Sequence, residues 1–192
     1  MELLNPNIVE YTWANKPSVA TLGQIICITD VGVNGSLWRG NGTKWFKMGS
    51  FRYYDLTATS EVTATTAETT LLTIPIKGGV VGQNGKLIVY AMFSFTNNAN
   101  QKIPRLKYNS DLVWTSTVTT GTTACTCVPI HNFNSEAVQK TATGILAGVG
   151  LTSSAIIQAT IDTSADFNLV ITGQLANSAD FLKLEALFLE LM

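Results

Sequence analysis

Thr70–Asn98 reads TLLTIPIKGGVVGQNGKLIVYAMFSFTNN, two apolar runs around a glycine-rich reversal. Leu71, Leu72, Ile74 and Ile76 are residues that fit a pleated surface. Gly78, Gly79, Gly82 and the Asn84-Gly85 pair tolerate the positive φ that a reversing chain needs. From Leu87 to Phe95 the apolar run is almost unbroken. Val89, Ala91, Phe93 and Phe95 alternate onto one face, and Ile88, Tyr90 and Met92 onto the other. A strand apolar on both sides must be covered on both, which puts it in the middle of a sandwich or at a contact between subunits.

The composition points the same way. Of 192 residues, 13% are charged and 46% hydrophobic, against about 25% charged in an ordinary soluble domain. So little charge implies surface buried against other chains. Twelve Lys and Arg face thirteen Asp and Glu with no basic run, which argues against a nucleic-acid partner. The start MELLNPNIVEY lacks the charged head and apolar core of a signal peptide. No unbroken apolar stretch reaches the roughly 18 residues of a membrane span. The expectation is a soluble protein made in the cytoplasm. Cys125 and Cys127 share one strand face, a spacing unsuited to a CxxC redox or zinc half-site. With Cys27 in the run Ile25–Ile28, they read as buried free thiols.

Residues 1–50 read as a small β module. Gly23–Asp30 (GQIICITD) is a strand, and Ser36–Arg39 and Lys44–Lys47 flank Gly40-Asn41-Gly42-Thr43 as a hairpin. Trp38 and Trp45 are expected to face each other across it. Residues 51–192 form the main domain. Its strand-like runs recur at Ile103–Tyr108, Leu112–Val118, Ala124–Phe133, Ala137–Leu146, Ala155–Ile161, Phe167–Thr172 and Phe181–Leu191. Many short strands between Gly, Asn, Asp and Pro, with no helical crossovers, predict an all-β chain: an antiparallel jelly-roll-like β-sandwich after the N-terminal hairpin module. The last segment, FLKLEALFLELM, is rich in helix formers, yet its alternation favours a strand. Leu182, Leu184, Ala186 and Phe188 then share one face, and Leu187, Leu189 and Leu191 the other.

Catalytic and metal motifs do not emerge. The glycines before Lys86 lack the spacing of a phosphate loop and precede a strand, not a helix. His131 is the lone histidine, with neither zinc-ligand cysteines nor a nucleophile elbow beside it. Asp162 and Asp166 do not follow the calcium-loop pattern. Asn34-Gly35-Ser36 and Asn41-Gly42-Thr43 match glycosylation sequons but read as turns. No enzyme activity and no cofactor are expected. Leu87, Val89, Met92, Leu187, Leu189 and Leu191 are the candidate oligomer contacts. Trp114 and Tyr108, near strand ends beside Tyr53 and Tyr54, are the candidate surface binders, since aromatic faces stack on sugars and on partner chains.

KPSVATLGQIICITDVGVNGSLWRGNGTKW, from Lys16 to Trp45, resembles a G-x-x-x-x-V-T-D-V-G-x-x-G-x-x-W/Y-x-x-N-G-T-x-W segment of tailed-bacteriophage structural proteins, tail fibres above all. The stretch from Thr70 to Lys102 looks like the opening of the jelly-roll domains of phage fibres and appendages. Phe181–Leu191 is similar to their final strand. The resemblance implies a virion structural protein: a homotrimeric tail-fibre or baseplate appendage contacting other phage proteins and host-surface glycan. The absence of a long repetitive shaft leaves a capsid-decorating trimer as the alternative, and a glycan depolymerase as a remote one.

Overall fold

The computed structural model describes residues 8–32, 35–142 and 156–192. The described residues hold fifteen strands and no helix, so the chain is all-β. Met1–Asn7, Val33, Asn34 and the stretch 143–155 lie outside them. The latter takes with it the end of the expected strand-like run Ala137–Leu146 and the first residue of Ala155–Ile161. The chain divides into two compact units between Tyr53 and Tyr54.

The first unit is a four-stranded sheet ordered β1 (Val9–Tyr11), β2 (Ile25–Ile28), β3 (Ser36–Gly40) and β4 (Trp45–Lys47). The β1–β2 pair is parallel and the rest antiparallel. The expected hairpin is β3–β4. Asn41 turns it, its carboxamide oxygen accepting from the Thr43 and Lys44 amides at 3.0 and 2.7 Å. Gly40 is obligatory there, because a Cβ would lie 2.1 Å from the Thr21 carbonyl oxygen. Trp38 stands opposite Lys47, and Trp45 opposite Gly40. The ring that meets Trp38 is that of Trp13, at 4.9 Å. Trp45 instead donates to the Pro17 carbonyl. The two indoles of the hairpin thus anchor two different parts of the preceding loop.

The second unit is a jelly roll, and its topology follows from one long hairpin folded over on itself. Strand β6 (Ser60–Thr63) pairs with β15 (Phe181–Leu191), β7 (Thr69–Ile76) with β14 (Phe167–Leu175), β8 (Lys86–Phe95) with β11 (Thr123–Asn132), and β9 (Lys102–Tyr108) with β10 (Asp111–Thr115). Two further antiparallel pairings, β15 with β8 and β14 with β9, close these ladders into sheets. The result is β6-β15-β8-β11 packed on β7-β14-β9-β10, two antiparallel sheets with strands exchanged between them. Strand β5 (Phe51–Asp55) also joins β15, while β12 (Gln139–Ala142) and β13 (Ile156–Ala159) extend the first sheet beyond β11. Opposite, Gly85 closes the β7–β8 connection. A Cβ on it would fall 1.7 Å from the Val81 carbonyl oxygen, so the Asn-Gly signal there marks a close backbone approach.

The core is the inward alternation of the long strands. Leu87, Val89, Ala91, Phe93 and Phe95 of β8 meet Leu106, Tyr108, Leu169 and Ile171 of the facing sheet, all buried. Strand β15 keeps the same rule through a bulge. Leu184 pairs with Phe93 but Ala186 with Met92, so Glu185 is an extra residue. Glu185 and Ala186 both turn outward, and the parity of everything after them reverses. Leu182 and Leu184 before the bulge, and Leu187, Leu189 and Leu191 after it, therefore all point into one core. The strand is not apolar on both faces, as unbroken alternation had predicted.

Candidate functional site

Five of the six expected oligomer contacts are corrected by this packing. Leu87, Val89, Leu187, Leu189 and Leu191 fill the interior of the sandwich within one chain and present nothing to a neighbour. Met92 alone of the set faces outward, 49% exposed. The expected surface aromatics are corrected too. Tyr108 and Trp114 are each 1% exposed. Tyr108 packs on Phe167 with ring centroids 4.8 Å apart, and burial drives its phenol pKa far up. A bulge between Leu112 and Trp114 turns both Val113 and Trp114 inward, so a position near a strand end does not expose the indole. Tyr53 and Tyr54 are half-exposed.

The two outward faces of the sandwich differ in kind. Across β7-β14-β9-β10 the face carries a charged cluster paired within the chain. Glu68 accepts from Lys107 Nζ at 2.5 Å and from Thr172 Oγ1 at 2.5 Å, with Arg105 Nη1 at 3.4 Å. Arg105 also donates to Gln174 Oε1 at 2.8 Å. Burial pushes the Glu68 carboxyl upward, but the hydrogen bonds from Lys107 and Thr172 and the two cations outweigh it and hold it below its usual range. A group held low in the folded state stabilises fully above its ordinary pKa of 4.5, and that contribution is lost as pH falls through the folded value. The midpoint of wild-type thermal unfolding is thus expected to fall more steeply between about pH 5 and 3 than that of Glu68→Gln. Parallel acid limbs would remove the cluster from the stability of the sandwich.

Across β6-β15-β8-β11 the outward face is apolar, and the register sets it in rows. Pro129, Ile88 and Glu190 form one, Cys127, Tyr90 and Phe188 the next, and Cys125, Met92 and Ala186 a third. Tyr90 stacks on Phe188 with centroids 4.3 Å apart. Its phenol pKa is raised by its hydrogen bond and electrostatic interaction with Cys127, by burial and by Glu190. At one end His131 lies between Lys86 and Lys140, its pKa lowered by burial and by Lys86. At the other end stand Glu61, Lys183 and Glu185. Ser94 and then Lys183 hold Glu185 low. Phe188 was missed because the bulge that reverses the parity of β15 shows only against β8, Cys125 because it was expected to be a buried thiol and is instead exposed, and Tyr90 although its strand's parity was plain. The parity of β8 alone, with Ile88, Tyr90 and Met92 on one side, was the available signal.

Two further carboxylates serve loops. Asp162 is held low by Ser164, and Asp166 by the Gly78 amide and Lys77. A general acid needs a carboxyl raised toward neutrality, whereas these two, Glu68 and Glu185 are all shifted down. Among the described residues no three His, Cys, Asp or Glu side chains converge as metal ligands. The Asn97–Asn100 loop is built on charge. Lys102, fully buried, donates to Asn98 O, Asn98 Oδ1 and Thr119 O, while Asn98 and Asn100 donate to buried Asp180 at 2.6 and 3.0 Å. In the first unit an open hollow of about 280 Å³ is lined by Cys27, Leu37, Met48, Ser50 and Phe51, on the face that also exposes Phe46. Lys47, on the opposite face, has its pKa pushed down to about 8 by burial.

No family model matches this chain, and no curated protein does. Solved structures do. The lectin UEA-II complexed with galactose aligns over 91% of this chain and 96% of its own, at 10% identity and a TM-score of 0.36. The winged bean acidic lectin complexed with methyl-α-D-galactose aligns over 92% and 93%, at 9% identity and 0.34. The VP2 subviral particle of infectious bursal disease virus aligns over 93% of this chain and 40% of its own, at 9% identity and 0.28.

Proposed function

We propose that this chain is a structural protein of a virion: a homotrimeric surface appendage of tail-fibre or baseplate type, with residues 1–50 toward the particle. The observation that carries the reading is the jelly roll itself. The charged cluster on one face and the loop carboxylates are engaged within the chain, and the other face is left apolar. Such a molecule is equipped to pack against protein rather than to turn over a substrate, and the reading assigns it no enzyme activity and no cofactor. The phage-like segment Lys16–Trp45, which holds β2 and β3 and ends where β4 begins, supports attachment through the first unit. Other proteins of the particle are the proposed partners, with host-surface glycan as the target of the outer end. Synthesis in the host cytoplasm and residence in the virion follow from the same reading.

A capsid-decorating trimer is the second reading. It is favoured by the direct succession, along the sequence, of the β module and the sandwich, with no repetitive shaft segment between them. Copy number on a stained gel of purified particles separates the two. Hundreds of copies per particle place the protein on the head, and a few tens or fewer on the tail. A chain absent from purified particles would end both. For the appendage, excess purified protein is expected to compete with particles for host cells.

A further inference from the structure

We infer that the outward face of β6-β15-β8-β11 is the contact between copies of this chain, centred on Tyr90, Met92, Cys125 and Phe188. The inference rests on the homo-oligomer of the reading above and names its surface. The first argument is contrast. The opposite face keeps its charges paired within the chain through Glu68, Arg105 and Lys107. The face around Met92 has an aromatic stack, a thioether and two thiols in adjacent rows, with no charge in the two central ones. Aromatics and Met are enriched in the buried centre of protein contacts, and charges are depleted there.

Size is the second argument. Strands β15, β8 and β11 are ten or eleven residues long. At about 3.3 Å per residue and 4.8 Å per strand they present a flat area of about 450 Å². The shorter β6 and β12 bring it to about 600 Å² before side-chain relief is counted. A standard contact takes roughly 800 Å² from each partner, a size this face approaches once side-chain relief is added. The ends of the face supply the third argument. Lys86 and Lys140 mark one end; at the other stand Glu61 and Glu185 with Lys183, which pairs with Glu185 at 3.0 Å, so that this end keeps an excess of one carboxylate. Where the cation end of one copy's face meets the carboxylate end of the next, the contact joins two different parts of the face, the kind of contact that closes into a ring when the rotation permits. A partner of one charge sign would leave one of the two ends opposed by its own charge.

Met92→Glu tests the face at a side chain already half in solvent, and Val170→Glu on the opposite face is its control. Mass by light scattering is expected to fall from three times 20.7 kDa to one for Met92→Glu, and to stay trimeric for Val170→Glu. Cys125, exposed on the single chain, supplies a measurement on the unaltered protein. Its alkylation, read by peptide mass, is expected to be slower by more than about tenfold in the assembly, because the thiol must first be freed. A Met92→Glu protein that remains trimeric, or a wild-type trimer with freely reactive Cys125, overturns the surface and leaves the trimer standing. A monomeric wild type overturns the trimer itself. If Met92→Glu fails to fold, the Cys125 rate on the wild type decides alone.

Discussion

Leu189→Asp is expected to unfold the sandwich and yield insoluble protein, not a soluble monomer. Leu189 has no exposure and pairs with Val89 in the centre of the first sheet. The substitution removes a leucine's burial, worth about 2–5 kcal/mol with its cavity, and adds a carboxylate with no partner among core neighbours. The sum matches the about 5–15 kcal/mol that holds a domain together. Circular dichroism of whatever remains soluble, with a melt, is the measurement. A cooperative melt within a few degrees of wild type would mean that Leu189 does not sit in the core. The same substitution at Met92, three residues from Val89 on β8, is expected to leave the melt nearly unchanged. The pair therefore separates loss of fold from loss of assembly.

The second large effect is expected at Lys102. Its ammonium, fully buried, is held by two carbonyl oxygens and the Asn98 carboxamide, and Asn98 in turn holds Asp180. Lys102→Met keeps the stem and removes the charge. That strands three acceptors and leaves the Asp180 carboxylate buried without a cation in its network. Breaking a buried charge network from one side costs about 3–5 kcal/mol, which for a domain of this size lowers Tm by roughly 10 °C. The double variant Lys102→Met/Asp180→Asn is expected to lose less than the two single variants summed, because each single change strands the other's charge. Additive losses would show that Asn98 does not couple the two.

The fold class was legible because strand alternation is a local property. Leu87 to Phe95 states its inner face in nine consecutive residues, and the Asn-Gly pairs mark reversals that need positive φ or close approach. The hairpin of the first unit was readable on the same grounds. What failed was anything decided by pairing between distant strands. The extra residue at Glu185 is visible only against Phe93 and Met92. Without it, Leu187, Leu189 and Leu191 fall on the wrong side. Trp114 is turned inward by its own bulge against β9. Tyr108 is buried because Leu169 and Phe167 come to it from β14. The Lys102 network joins residues from three loops and strands, and no spacing in the chain announces it.

The nesting of the strands also sets the order in which this molecule can become itself. Strand β15 runs between β6 and β8 in the finished sheet, yet it leaves the ribosome after every other described strand. Until then, Leu87, Val89 and Phe93 have neither their neighbour strand nor the leucines that β15 places beside them. Pairing between such distant segments is slow to nucleate, and a half-made sheet of this kind exposes an apolar edge. The chain therefore completes its fold only after synthesis of β15, and crowding of nascent copies before that moment is where its yield is lost.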